Sequence, residues 1–130
     1  MDIYSSFATD ETLEKEGRWF PMSKTAQVKV ARTGNAKYQE LLQAKLKEAH
    51  LDSMPDKEAN EVAEGIVIEV MARTILLDWK GLTYQGKEAP VGVEMATTFL
   101  KVKDFRKKIA ELASNLDSFR VKEEIAQGNA

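Results

Sequence analysis

Apolar residues recur at helical spacing over most of this chain and alternate with polar ones over a short stretch near its start. Between Ala36 and Ala49, the positions Tyr38, Leu41, Leu42, Leu46 and Ala49 share one side of a 3.6-residue period, with lysines and glutamines opposite. That pattern predicts an amphipathic helix. Thr33-Gly34-Asn35 before it is turn chemistry, with Asn35 placed to cap the helix. A second helix is expected to begin near Ser53, where Ser53 and Asp56 are spaced like a capping box and Pro55 falls in the tolerant first turn. Asp56, Glu58, Glu61 and Glu64 fill its front half and Arg73 and Lys80 its rear, in keeping with the helix dipole, and Gly81 is expected to end it. From Ile66 to Trp79 the apolar residues run nearly round the circumference, which marks this as the central, buried helix.

Around these two helices the pattern is shorter in range. Thr9 to Gly17 reads as a brief helix capped by Thr9 or Asp10, with Gly17 as a left-handed exit. Arg18 to Met22 and Ala26 to Arg32 read as two strands joined through Ser23-Lys24-Thr25, and Pro21 assigns the first of them to an edge. Residues 82–92, with two glycines and a proline, are expected to form a loop. Helical character returns from Val93 to Leu100 and from Lys103 to Leu116, where Phe105, Ile109, Leu112, Ala113 and Leu116 make one face. A last helix is predicted from Ser118 to Gln127, presenting Phe119, Val121 and Ile125. The expected architecture is a mainly α, single helical domain over residues 1–130, with a central buried helix and a small N-terminal β-hairpin.

Composition removes most catalytic chemistry. The 130 residues contain no cysteine and one histidine, so zinc fingers, Fe–S clusters, disulfides and thiol nucleophiles have no ligands, and any Ser/His/Asp relay would have to use His50. His50 sits at the expected end of a helix, where a surface or capping role fits it. Asp52, Asp56 and Glu58 lack the glycine and the spacing of a calcium loop, and no phosphate-binding glycine motif is present. The reading is a non-enzyme with no metal and no cofactor. The N-terminus lacks a secretory signal and no stretch reaches the ~20 apolar residues of a membrane span, so a cytoplasmic protein without membrane contact is expected.

Charge is balanced overall, at a formal −2, but unevenly distributed. Residues 1–22 carry −3, 23–50 carry +4, 51–80 carry −4, 81–100 carry −1 and 101–130 carry +2. Alternation of this kind suits elements that pack on neighbours or on copies of themselves, and equally keeps a small domain soluble. The run Lys101-Val102-Lys103-Asp104-Phe105-Arg106-Lys107-Lys108 is basic with one aromatic. Val102, Phe105 and Ile109 lie on the core stripe, however, so a solvated helix face is favoured over nucleic-acid binding. Trp19, Phe20 and Tyr84 stand in or beside an edge strand and a loop. Exposed there they would be docking residues, and buried there they would be core.

The order of several short pieces resembles the tail assembly chaperones of long-tailed, HK97-like bacteriophages and prophages. These pieces are Tyr4-x-x-Phe7 with Thr9-Asp10, Leu13-Glu14-Lys15-Glu16-Gly17 before Trp19, and Val30-Ala31-Arg32-x-Gly34-Asn35-x-x-Tyr38. Leu77-Asp78-Trp79-Lys80-Gly81 with Gly86, then Phe119 and Gly128-Asn129, complete the series. The resemblance implies a protein that binds the tape measure protein, keeps it soluble, recruits tail tube protein and is absent from the finished virion. It also implies a longer form made by ribosomal frameshifting, through which the tube protein is contacted, and residence in the bacterial host cytoplasm. It carries no catalytic or ligand residue across. Trp19, Phe20 and Tyr84 are the expected partner-binding residues, with self-association of the chain. A small nucleic-acid-binding phage regulator and a structural minor tail or head–tail component are the alternatives.

Overall fold

The computed structural model describes residues 1–121, and helices dominate it. Two short helices open the chain, α1 (Ile3–Phe7) and α2 (Glu11–Glu16). An aspartate starts each: Asp2 accepts from the Tyr4 N–H, and Asp10 accepts from the Thr12 and Leu13 N–H groups. Gly17 leaves α2 at φ 84° and ψ 170°, extended rather than left-handed helical, because the chain passes straight into strand β1 (Arg18–Pro21). Strand β2 (Gln27–Val30) pairs antiparallel with β1, Phe20 opposite Val28. The expected hairpin forms, with the Pro21 strand at an edge.

Asn35 caps α3 (Ala36–Ala49) by accepting from the Tyr38 N–H at 3.0 Å, while its amide donates to the Arg32 carbonyl at 2.7 Å. It is one of two buried polar residues among those described, at 5% exposure. Replacing Asn35 with alanine orphans both groups and should lower stability by about 1–2 kcal/mol. Asn35→Asp keeps the cap acceptor and should fall between the two, as read from urea midpoints. His50 ends α3 in the left-handed conformation at φ 53° and is exposed, a C-cap position as expected.

A 3-10 turn over Leu51–Ser53 then leads into α4 (Asp56–Thr74). The capping box does not form. The Ser53 hydroxyl donates to the His50 carbonyl at 2.7 Å, and Pro55 occupies the cap position with no side-chain acceptor. The larger correction lies at the other end. The helix expected to run on to Gly81 stops at Thr74, and Leu76–Lys80 become strand β3, paired antiparallel with β2. Thr74 marks the stop by donating its hydroxyl back to the Val70 carbonyl at 2.7 Å. Leu76 and Trp79 are buried and Leu77 and Asp78 half-buried, and this short apolar run follows the helical one without a break, so the sequence does not show where helix gives way to strand. The partner decides. Strand β2 gains its second neighbour, and the sheet runs β1-β2-β3.

The expected loop contains a two-strand ribbon, β4 (Thr83–Tyr84) and β5 (Lys87–Glu88). Gln85 and Gly86 both have positive φ between them, as in a primed hairpin turn. Helices α5 (Val93–Leu100) and α6 (Lys103–Ser114) follow within a few residues of expectation. Leu116 belongs not to α6 but to the single turn α7 (Leu116–Phe119), after which Arg120 is extended and bridges Thr9. The predicted start of the last helix at Ser118 is therefore replaced by a tether. The Asp10 N–H donates to the Phe119 carbonyl at 2.7 Å, and the Val121 N–H to the Ala8 carbonyl at 3.0 Å. The rest of that predicted helix, with Ile125, lies outside the described residues.

The inward face of the sheet, Phe20, Val28 and Trp79 in one cross-strand row, joins Met71 of α4, Ile75 just past its end, and Leu100, Ile109 and Phe119 from the later helices. The C-terminal half of α4 carries all six of its buried residues, so it is the central helix of a mainly α fold, as expected.

Candidate functional site

The three aromatics singled out for docking are separated by the fold. Phe20 points inward, is 9% exposed and packs its ring 6.3 Å from that of Phe119, with the Arg18 guanidinium 5.7 Å from its ring centroid. It belongs to the core, and its side chain offers nothing to a partner. Trp19, one residue earlier, points outward by strand alternation and is half-buried. It stands in a row with Lys29 and Asp78, and the Lys80 ammonium lies 4.6 Å from its ring centroid. That cation–π contact fixes the indole beside Lys80 on the outward face of the sheet.

Tyr84 is 40% exposed on the β4–β5 ribbon. Its ring meets Phe99 edge-on at 6.4 Å, and Phe99 in turn meets Trp79 at 5.3 Å and Phe105 at 5.9 Å. Trp79 fixes the ribbon by donating its indole N–H to the Ala89 carbonyl at 3.0 Å. Tyr84 is thus the solvent end of an aromatic stack rooted in the core. Trp19 and Tyr84 do not form one patch, since Trp19 faces away from the core while Tyr84 rests on residues that face into it.

Helix α1 is the surface that the sequence pattern did not bring forward. Ile3, Tyr4 and Phe7 are 65%, 70% and 51% exposed, beside an exposed Met1. The helix is held at its back by Arg120, which donates to the Ser5 carbonyl at 3.0 Å. The available signal was Asp2 as a cap before an Ile3, Tyr4 and Phe7 spacing of three and four residues.

Charge on the helices is organised by a few pairs. Glu69 accepts from Lys45 of α3 at 3.1 Å and from Arg73 at 3.3 Å, tying α3 to α4. The hydrogen bond from Lys45 outweighs desolvation and, with the fields of both cations, holds its carboxyl below the usual glutamate range. Arg106 of α6 donates to Glu64 at 2.7 Å and to the Leu100 carbonyl at 2.8 Å. In the basic run, Lys101, Lys103, Lys107 and Lys108 are all exposed, whereas Phe105 is half-buried in the aromatic stack and withdrawn from stacking with a ligand. A shallow cleft of about 490 Å³ lies between α4 and α5, lined by Ile68, Glu69, Arg73, Val93, Thr97 and Lys101. No helix of the described residues is long and apolar enough to cross a membrane. No three His, Asp or Glu side chains among them gather as metal ligands.

No curated protein sequence and no solved structure matches the chain significantly. A sequence profile of the family described as YdaY prophage protein matches residues 33–128, which takes in α3, the central helix, β3 and everything described after it. With about three-quarters of its length inside that match, the chain belongs to the YdaY prophage protein family.

Proposed function

We propose that this prophage protein is a tail assembly chaperone, which binds the tape measure protein, keeps it soluble and promotes assembly of the tail tube around it. The observation that carries the reading is the run of large apolar side chains left exposed on α1, together with Tyr84. These are small apolar surfaces on a helical domain, each bordered by polar groups, rather than one deep pocket. A long helical client with apolar stripes needs surfaces of this kind, which cover it and let go. Prophage family membership supports the setting, and the resemblance to tail assembly chaperones supports the client. On this reading the protein has no catalytic group, works in the bacterial cytoplasm and is absent from the finished particle.

The test is co-expression with the tape measure protein of the same prophage. Full-length chain should move the tape measure protein from the pellet to the soluble fraction and co-purify with it. Replacing Ile3, Tyr4 and Phe7 with serine, or Tyr84 with alanine, should reduce recovery severalfold while the melting temperature of the chaperone stays near wild type. A tape measure protein equally soluble with and without the chain would sink the reading. So would mass spectrometric detection of the chain in purified particles, which would make it a structural component.

A further inference from the structure

Helices α3 and α4 form a hairpin whose outer end is only partly packed. Among the described residues α3 has no buried side chain, and its main packing partner is α4. The buried residues of α4 begin only at Ile66, so the first half of that helix stands clear of the core. At the tip of this arm Leu51 and Met54 are half-exposed, surrounded by exposed Asp52, Asp56, Glu58 and Glu61. Residues 51–65 hold five acids and one lysine, a net −4.

The corner between α5 and α6 has the opposite character. Val102, expected on the core stripe, caps α6 instead and is 58% exposed there, flanked by exposed Lys101 and Lys103, with Lys107 one turn further along. Residues 101–108 hold five cations and one acid, a net +4. Each surface has an apolar centre and a charged rim, and the rims are opposite in sign, the arrangement that sets register and partner choice in interfaces.

Among the ion pairs of the described residues, the two runs meet within one copy only at Arg106 and Glu64, which leaves a net −3 on the tip and +3 on the corner. The Arg106–Glu64 pair fixes the corner beside the middle of α4. Asp56 lies eight residues before Glu64, which at the helical rise places the tip about 12 Å further along the axis. Glu61 and Glu64, three residues apart, share a face of α4, so the acidic edge of the arm continues along the side of α4 on which Arg106 docks. A two-fold axis beside α4 then brings the tip of each copy onto the corner of the other, in one closed, isologous contact.

We propose that the chain forms a two-fold dimer in which the acidic α3–α4 tip of each copy docks on the basic α5–α6 corner of its partner. The inference concerns contacts between copies and holds whether or not the chain serves as a chaperone. Sedimentation velocity on the purified 130-residue chain should show a species of twice 14.6 kDa at low salt. It should dissociate as ionic strength rises, since rim charges are screened. Asp52→Lys/Glu58→Lys/Glu61→Lys on the tip, and separately Lys101→Glu/Lys103→Glu/Lys107→Glu on the corner, should each weaken the dimer by about tenfold or more. Mixing the two variants restores both complementary contacts and should restore a dimer, which also shows that both variants are folded. A protein that stays monomeric at low salt would overturn the proposal without any variant. It would equally fail if the dimer survived either set of reversals, or if the mixture stayed monomeric while each variant kept the wild-type melting temperature.

Discussion

Alanine at position 81 should cost about 3 kcal/mol or more, enough to remove a large part of the stability of a domain this size. Gly81 has φ 76°, and a Cβ built there collides with the carbonyl oxygen of Thr25 and crowds its carbonyl carbon at 2.9 Å and the Ala26 Cα at 3.1 Å. All three atoms are backbone, so no side chain can swing aside. They lead directly into β2, the middle strand of the sheet, whose Gln27 pairs with Lys80. Relief requires the end of β3 to peel away from β2. Gly86 supplies the control, because its φ is 80° but a Cβ there has open space. Gly86→Ala should cost only the conformational part, about 1 kcal/mol. Urea unfolding of the two variants separates collision from conformation, and equal losses would show that the approach to Thr25 does not matter.

Gly81 also shows where the sequence was legible and where it was not. Its need for positive φ was readable as an end signal, but the element it ends is a strand and not a helix. From Ile66 to Lys80 ten of fifteen residues are apolar with no break at Thr74, and five strand residues are too few to show a two-residue period against the helical one before them. Only the partner strand β2, some fifty residues earlier, separates Thr74 from Leu76. Segments whose apolar and polar positions separate cleanly are legible for the converse reason. Tyr38, Leu41, Leu42 and Leu46 on α3, and Val28 and Val30 alternating on β2, declare both type and orientation. The C-terminal turn was misjudged because its geometry comes from Phe20 and Asp10, about a hundred residues away, and not from local preference.

For the interaction surfaces, residue type was legible and exposure was not. Trp19 and Phe20 are neighbours with similar composition signals, yet strand alternation sends one to the open face and the other to Phe119. The α1 helix passed unnoticed because five residues are too few for a periodicity to stand out. The charge alternation along the chain was visible from the start. Its spatial meaning needed the Arg106–Glu64 pair, which sets the basic corner beside the middle of the acidic α4.

Trp79→Ala is expected to be the other most damaging single change, at about 4 kcal/mol. The indole is 4% exposed, lies in a cross-strand row with Val28 and Phe20, and meets Phe99 edge-on. Truncation leaves a cavity between the sheet and α5 and deprives the Ala89 carbonyl of its indole N–H donor. Trp79→Phe divides these effects. It keeps most of the apolar volume and an aromatic edge for Phe99, but loses the hydrogen bond to Ala89, at about 1–2 kcal/mol. Ala89 follows directly on β5, and its N–H donates to the Leu82 carbonyl at 2.9 Å, so this bond is what fastens the ribbon bearing Tyr84 to the core. Faster amide exchange in residues 83–88 of Trp79→Phe, with α4 protection little changed, is therefore the expected signature. Its absence would mean that the contact of Tyr84 with Phe99 holds the ribbon unaided. If the chain is the proposed chaperone, a Tyr84 surface that loosens in this way should also hold tape measure protein less well, although nothing at the contact itself has been altered.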